Sequence, residues 1–343
     1  MPARIGVVGF GTIGKRIAEA ITKQPDMELV GVVKTKPDYV AELAVKTGYK
    51  LYAANEDSLK KFEEAGLPVE GVLGDLLERV DLVVDATPGG VGAKNKIVYE
   101  QKGVPAIFQG GEKANVAEVS FNSLCNYEEA IGRRYVRVVS CNTTGLLRIL
   151  CTLNKAYGLR RVYATIVRRA ADPKEVKRGP VNAIKPDPVT MPSHHGEDVK
   201  TVLRGLDIVT AAVVVPTTLM HVHIVYAQLS KRVSTDEIVE LLANTPRIVL
   251  VEAGKGVAST ADIVELARDL GRKRYDIPEL IVWRESIVVR DGEVYWMQAV
   301  HQESIVVPEN IDAIRAMLKL AVDASDSIML TDRTLNIRRG TLI

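Results

Sequence analysis

A chain of 343 residues is long enough for two hydrophobic cores, and its 47% hydrophobic content, 26% charged content and net charge of +2 describe an ordinary globular protein. That balance gives no reason to expect nucleic acid or a membrane surface as a partner. No apolar run approaches the roughly 20 residues of a membrane helix, and Met-Pro-Ala-Arg leads straight into a strand without the anatomy of a signal peptide.

The first predicted strand, 4–8, ends in Gly9-Phe10-Gly11-Thr12-Ile13-Gly14, and helical spacing begins at Ile17, Ala18 and Ile21. Between a strand and a helix, G-x-G-x-x-G is a dinucleotide turn: the glycines permit the tight bend and let a pyrophosphate approach the helix N-terminus. The second strand, 27–33, should end at the adenosine ribose. Chains built only for NAD usually place an acid there. This one has Lys34-Thr35-Lys36-Pro37, a cation and a hydroxyl suited to the 2′-phosphate of NADP, with Asp38 near enough to keep NAD possible.

Helices are predicted over 39–46 and 58–64, with a short apolar run at 50–53. Strand 80–85 runs into Ala86-Thr87-Pro88-Gly89-Gly90, and strand 105–109 into Gly110-Gly111-Glu112-Lys113. Open α/β sheets bind ligands at such strand ends. The alternation predicts a doubly wound, mostly parallel Rossmann-type sheet over 1–140.

The stretch around which the chemistry gathers follows strand 136–139: Ser140-Cys141-Asn142-Thr143-Thr144-Gly145-Leu146, opening a helix. There, free N–H groups and the positive end of the helix dipole favour a thiolate and could hold an oxyanion. The polar neighbours argue against a buried structural cysteine, so Cys141 is read as a nucleophile. Cys125, Cys141 and Cys151 are odd in number and lack metal-type spacing, which suits a reducing cytosol.

Strand 161–168 leads into a basic, proline-punctuated loop, Arg168-Arg169-Ala170-Ala171-Asp172-Pro173, running through Lys174, Lys177 and Arg178 to Gly179-Pro180. Met191-Pro192-Ser193-His194-His195-Gly196 then opens a short helix. The Arg168-Arg169 pair and the His194-His195-Gly196 turn are both candidate phosphate sites. Strands 208–215 and 219–227 without an intervening helix, and a hairpin at Asp291-Gly292, predict an α+β domain over 141–307 with a mainly antiparallel sheet. Ser234 to Glu237 reads as a capping box. A helix opened by Pro308 is expected to carry 308–343 back onto the first domain. Alternation in a strand puts His221 and His223 on one face, with Met220, Val222 and Ile224 on the other. Either histidine could serve a cysteine as base, and a metal pair lacks further ligands nearby.

Taken together, GFGTIG, DATPGG, FQGGEK, SCNTTGL, RRAADP, MPSHHG and TTLMHVH resemble archaeal-type phosphorylating glyceraldehyde-3-phosphate dehydrogenase, in order and over essentially the whole chain. The resemblance implies a homotetramer in the cytoplasm, working in glycolysis or gluconeogenesis on D-glyceraldehyde 3-phosphate and inorganic phosphate. It implies Cys141 as nucleophile and His221 as general base, though His223 stays open. Substrate contacts would come from Ser140, Asn142, His195 and Gly196, with Thr143 counted beside them, and cofactor contacts from Thr12, Ile13, Gly111, Arg169 and Gln302. With the Gly9, Gly11 and Gly14 turn, Lys34 and Thr87, these would hold NADP or NAD; no metal is expected. Two anion sites are required, and Arg168, Arg169, His194 and His195 are not divided between them. The rival readings are an aspartate-semialdehyde-type dehydrogenase, which would take a carboxylate substrate, and a non-catalytic NAD(P)-binding redox sensor, which would need no histidine base.

Overall fold

The computed structural model describes residues 1–170 and 182–342. The part of the basic loop from Ala171 through Asp172, Lys174, Lys177 and Arg178 to Pro180 lies outside the described residues.

In chain order the first part forms β1 (Ala3–Val8), α1 (Gly14–Thr22), β2 (Met27–Lys34), α2 (Tyr39–Lys46), β3 (Leu51–Ala53), α3 (Glu56–Glu64), α4 (Leu73–Leu77), β4 (Leu82–Asp85), α5 (Gly92–Lys102), β5 (Ala106–Gln109), β6 (Val119–Phe121), α6 (Ser123–Asn126) and β7 (Tyr135–Val138). Then come α7 (Cys141–Tyr157), β8 (Leu159–Arg169), β9 (Lys185–Pro186), α8 (His194–Lys200), β10 (Asp207–Val215), β11 (His221–Leu229), α9 (Thr235–Asn244), β12 (Ile248–Val251), α10 (Thr260–Asp269), β13 (Leu280–Trp283), β14 (Val288–Arg290), β15 (Glu293–Val300), α11 (Val307–Met317) and α12 (Ala324–Leu335).

The chain divides into two compact units, one of Met1–Ser140 with Val307–Leu335, the other of Cys141–Val306 with Asn336–Ile343. In the first unit seven strands lie in the order β3-β2-β1-β4-β5-β7-β6, every pair parallel. Parallel strands are covered on both faces, which is why β1, β4 and β7 read as near-continuous apolar runs. Helix starts follow local chemistry: the Asp38 carboxylate accepts from the N–H groups of Val40 and Ala41, and Asn55 caps α3. All of α11 is buried, and charged groups anchor it. Arg315, with no exposed surface, donates to Asp26 at 2.8 and 2.9 Å, Gln24 at 2.7 Å and Thr331 at 2.5 Å. One turn earlier, Asp312 accepts from Ser327 and Thr331 of α12. The single helix expected from Pro308 onward is therefore two helices, α11 and α12.

In the second unit the sheet is mixed and mostly antiparallel, in the order β12-β13-β15-β11-β8-β10-β9 with β14 on β15. The consecutive strands β10 and β11 do not pair: β8 lies between them, parallel to β10 and antiparallel to β11. The Asp291-Gly292 hairpin has positive φ at both residues, 50° and 82°, the primed turn that this dipeptide favours. Met220 precedes β11 with a φ of 58°, yet its side chain joins the apolar cluster of Val249, Ile263 and Ile281 against which Val222 packs, so the two share a face as expected. The tail beyond Leu335 belongs to this unit and not, as expected of 308–343, to the first: Gly340 bridges Val249, and the Arg338 N–H donates to Glu279.

Because Arg315 is a buried cation held by a carboxylate, Arg315→Leu is expected to destabilise the first unit by about 3–5 kcal/mol, leaving Asp26 without its partner. Urea unfolding of the full chain measures this; a loss below about 1 kcal/mol would show that the pair does not anchor α11.

Candidate active site

The turn after β1 has the form a dinucleotide requires. Gly9 has a φ of 91°, and a Cβ there would stand 2.8 Å from the Thr87 nitrogen; a Cβ on Gly14 would fall 2.1 Å from the Gly9 carbonyl oxygen. At Gly11 a Cβ would meet nothing within 4 Å, so this side of the turn is open to a pyrophosphate. Since all strands of this sheet are parallel, the segments holding Thr12, Ile13, Lys34, Thr87 and Gly111 leave its carboxyl edge together. Lys34 Nζ lies 2.8 Å from the Asp38 carboxylate, whose pKa is lowered by Lys34 and the α2 amides against the burial that would raise it. The Thr87 hydroxyl and N–H both donate to Asp85, which also accepts from Asn95 and Tyr99. The loop after β4 is clasped by Glu112, which accepts from the N–H groups of Gly90 and Gly92 at 2.8 and 2.9 Å. Arg169 and Gln302, the other expected cofactor contacts, belong to the second unit. Gln302 Oε1 is buried without a hydrogen-bond partner among the described residues, as a group awaiting a ligand would be.

Gly110 lets the chain leaving β7 pass close by, since a Cβ there would lie 2.2 Å from the Ser140 nitrogen. Cys141 then starts the 17-residue α7. It is half-buried and carries a free thiol, whereas Cys125 and Cys151 are disulfide-bonded, so the expectation of reduced thiols holds for Cys141 alone. Burial raises the Cys141 pKa; Arg169, Arg168 and the N–H groups of residues 141 and 142 oppose it without prevailing. The helix start thus acts as expected, and the two cations add to it, but desolvation is the larger effect.

His221 stands at the start of β11, where its Nδ1 accepts the Arg169 N–H at 3.0 Å. A ring nitrogen that accepts carries no proton, so the neutral imidazole holds its proton on Nε2. Burial first, then Arg169, His223 and Arg168, keep the pKa well below the ordinary value, so the ring stays neutral. As held here, the neutral His221 presents a donor at Nε2. His223 has both ring nitrogens engaged. Its Nε2 bonds Asn142 Oδ1 and its Nδ1 bonds Gln298, both at 3.0 Å, and burial pushes its pKa down to about 3.

The phosphate candidates separate. Arg168 pairs with Asp187, and its buried Nε has no hydrogen-bond partner among the described residues. His194 is exposed and stacks on His195 with ring centroids 4.0 Å apart. His195, only 2% exposed, has Nε2 at 3.4 Å from the Asn142 amide nitrogen and Nδ1 at 3.1 Å from the Ser193 hydroxyl. Gly196 gives its N–H to the Thr210 hydroxyl at 2.9 Å, and Thr143 donates to Asp198 at 2.5 Å. The Gly196 N–H, one of the backbone donors expected of this turn, is therefore spent inside the protein. Gln298, Trp296, Thr210 and Ser193 were not foreseen. The available signal was a polar Gln298 in register with Trp296 and Val300 on a buried strand face.

A family model described as glyceraldehyde 3-phosphate dehydrogenase, C-terminal domain, matches residues 140–275, and one described as dihydrodipicolinate reductase, N-terminus, matches residues 3–120. The glyceraldehyde-3-phosphate dehydrogenase of Hyperthermus butylicus is 64% identical over 99% of this chain and 98% of its own length. That of Metallosphaera sedula is 58% identical over 99% of both. Among solved structures, aspartate semialdehyde dehydrogenase II from Vibrio cholerae has a TM-score of 0.69 at 12% identity, covering 93% of this chain and 99% of its own, which shows a shared fold. The sequence relatives, and the free thiol starting α7, place the chain in the glyceraldehyde-3-phosphate dehydrogenase family.

Proposed function

We propose that the chain converts D-glyceraldehyde 3-phosphate, inorganic phosphate and NAD(P)+ to 1,3-bisphosphoglycerate and NAD(P)H, in glycolysis or, reversed, in gluconeogenesis. The observation that carries this reading is a free cysteine at the start of α7 whose thiolate two arginines favour. The relatives' shared name supports the substrate. Nothing observed favours the aspartate-semialdehyde or redox-sensor reading.

Cys141 loses its proton to water, with Arg168, Arg169 and the first amides of α7 favouring the thiolate against burial. The sulfur adds to the aldehyde carbon and the carbonyl electrons move onto oxygen. His221 Nε2–H meets that oxygen as a donor, so the alkoxide forms directly and needs no base. A bound nicotinamide dinucleotide supplies the hydride-accepting chemistry. Departure of hydride from the same carbon leaves a thioester on Cys141. Phosphate attacks it and expels the thiolate, giving the acyl phosphate. Of the candidates Arg168, Arg169, His194 and His195, the two arginines and His194 are taken in this reading to hold the two anions, undivided between them.

A cytoplasmic homotetramer is part of this reading. Among the described residues no helix is long and apolar enough to cross a membrane. Exposed Tyr163, Ile224, Tyr295 and Met297 on the outer face of the second sheet offer an apolar surface to another copy.

With glyceraldehyde 3-phosphate and NADP+, absorbance at 340 nm should rise only when inorganic phosphate is present, and not at all in Cys141→Ser. Sustained phosphate-independent reduction would sink the phosphorylating mechanism. Because a glutamine amide nitrogen can replace Nε2–H, His221→Gln should keep kcat about a hundredfold above His221→Ala. Equal losses in the two variants would return His221 to the role of base. At the ribose edge, Asp38→Asn keeps an N-cap but removes the charge facing Lys34. Calorimetric titration should show NADP+ binding about fivefold tighter and NAD+ changed less, whereas Lys34→Ala should weaken NADP+ alone. Parallel changes for both dinucleotides would remove the pair from cofactor discrimination.

A further inference from the structure

Seven side chains in the second unit form one buried chain of hydrogen bonds whose ends admit only one polarity. An indole N–H can only donate, so Gln298 turns Oε1 to Trp296 at 2.7 Å and its amide nitrogen to the Gly145 carbonyl and His223 Nδ1, each at 3.0 Å. His223 is then protonated on Nε2 and donates to Asn142 Oδ1 at 3.0 Å. Asn142 must turn its amide nitrogen to His195 Nε2, leaving that ring protonated on Nδ1, which donates to Ser193 Oγ at 3.1 Å. The Ser193 hydroxyl donates to Thr210 Oγ1 at 2.8 Å, and Thr210 donates to the Ser193 carbonyl at 3.0 Å, an acceptor only. None of the seven is more than 3% exposed. Reversing any link would set two donors or two acceptors face to face in the interior, at the cost of an unsatisfied buried group.

We propose that Gln298 and His223 are positioning residues: they fix the amide of Asn142, next to the nucleophile in the chain, and through it the tautomer of His195. Neither imidazole of this relay exchanges a proton with substrate, since each has both nitrogens committed. His223 and His195 are held in opposite tautomers, Nε2–H and Nδ1–H. That the relay serves the dehydrogenase reaction rests on the function proposed above; its polarity does not.

The test is long-range ¹H–¹⁵N correlation on the full chain labelled at histidine, together with steady-state kinetics. In the unaltered protein His223 should give the Nε2–H signature and His195 the Nδ1–H signature, each as a single state near neutral pH. His223→Leu removes the donor to Asn142. It should lower kcat about a hundredfold, leave the KM for NADP+ within about twofold, and mix the tautomers of His195. His223→Gln, which restores a donor at the Nε2 position, should recover most of kcat and the His195 signature. If His223→Leu does not fold, Gln298→Glu decides: its carboxylate must draw the His223 proton to Nδ1. Like tautomers in the unaltered protein, an unmoved His223 signal in Gln298→Glu, or a His223→Leu variant that loses stability while keeping kcat and the His195 signature, would overturn the proposal. Correct tautomers without phosphate-dependent turnover would uphold the relay's polarity and overturn its catalytic role together with the proposed activity.

Discussion

The second unit depends on a missing side chain. Gly145 sits one turn into α7, and a Cβ there would stand 2.5 Å from Cγ2 of Val300 and 3.4 Å from Cε1 of His223. Glycine in a helix interior costs about 1 kcal/mol relative to alanine, so its presence marks a contact that tolerates nothing larger. The close approach lets the helix carrying the nucleophile lie against β15 and β11, with the Gly145 carbonyl in reach of Gln298 and the Asn142 amide in reach of His223. Fully buried Arg148 ties the same helix to the carbonyls of Pro278 and Ile305, at 2.6 and 2.9 Å. Height and roll of α7 on the sheet are thus both determined before any substrate arrives, which is the preorganisation a nucleophile needs.

Charge is distributed to match. Every imidazole in the relay is neutral, because desolvation outweighs every other influence on His223 and His195, and both pKa values fall to about 3. Satisfied neutral groups are cheap to bury, whereas an unpaired cation is not. The cations stand instead at the end of β8, where Arg168 and Arg169 are half-buried. Positioning and electrostatic tasks therefore fall to different residues, and the thiol feels the arginines without an imidazolium competing for the same anion.

Much of this could be read from the chain. Glycine turns are legible because the requirement is local: Gly9 and Gly14 must be glycine for reasons within one loop, and strand–helix alternation follows from apolar spacing. His221 and His223 share a buried face, as period two dictates. The roles of His195, Gly196 and His223 were not legible, since a side chain's hydrogen-bond partner depends on which strand lies beside it. The adjacency of β10 and β11 in sequence suggested a pair, yet β8 separates them, and the Thr210 that takes the Gly196 N–H comes from β10. Gln298 was hidden for the same reason, its partners lying on α7 and β11.

The carboxyl edge of the first sheet carries three acids that would repel a dinucleotide's phosphates if left open, and their hydrogen bonds show how that repulsion is contained. Asp85 accepts from Thr87, Asn95 and Tyr99 and is 2% exposed. Glu112 spends one oxygen on the amides of Gly90 and Gly92 and is 9% exposed. A carboxylate saturated by donors and hidden from solvent projects little of its charge outward. Asp38 is the exception: the α2 amides and Lys34 engage it, yet its side chain remains 44% exposed while that of Lys34 is only 12% exposed. Of these acids it is the one whose charge an adenosine ribose would meet. On the function proposed above, discrimination between a 2′-hydroxyl and a 2′-phosphate would rest on the balance within this ion pair, a surface arrangement that one substitution can tip without disturbing the glycine turn beneath it.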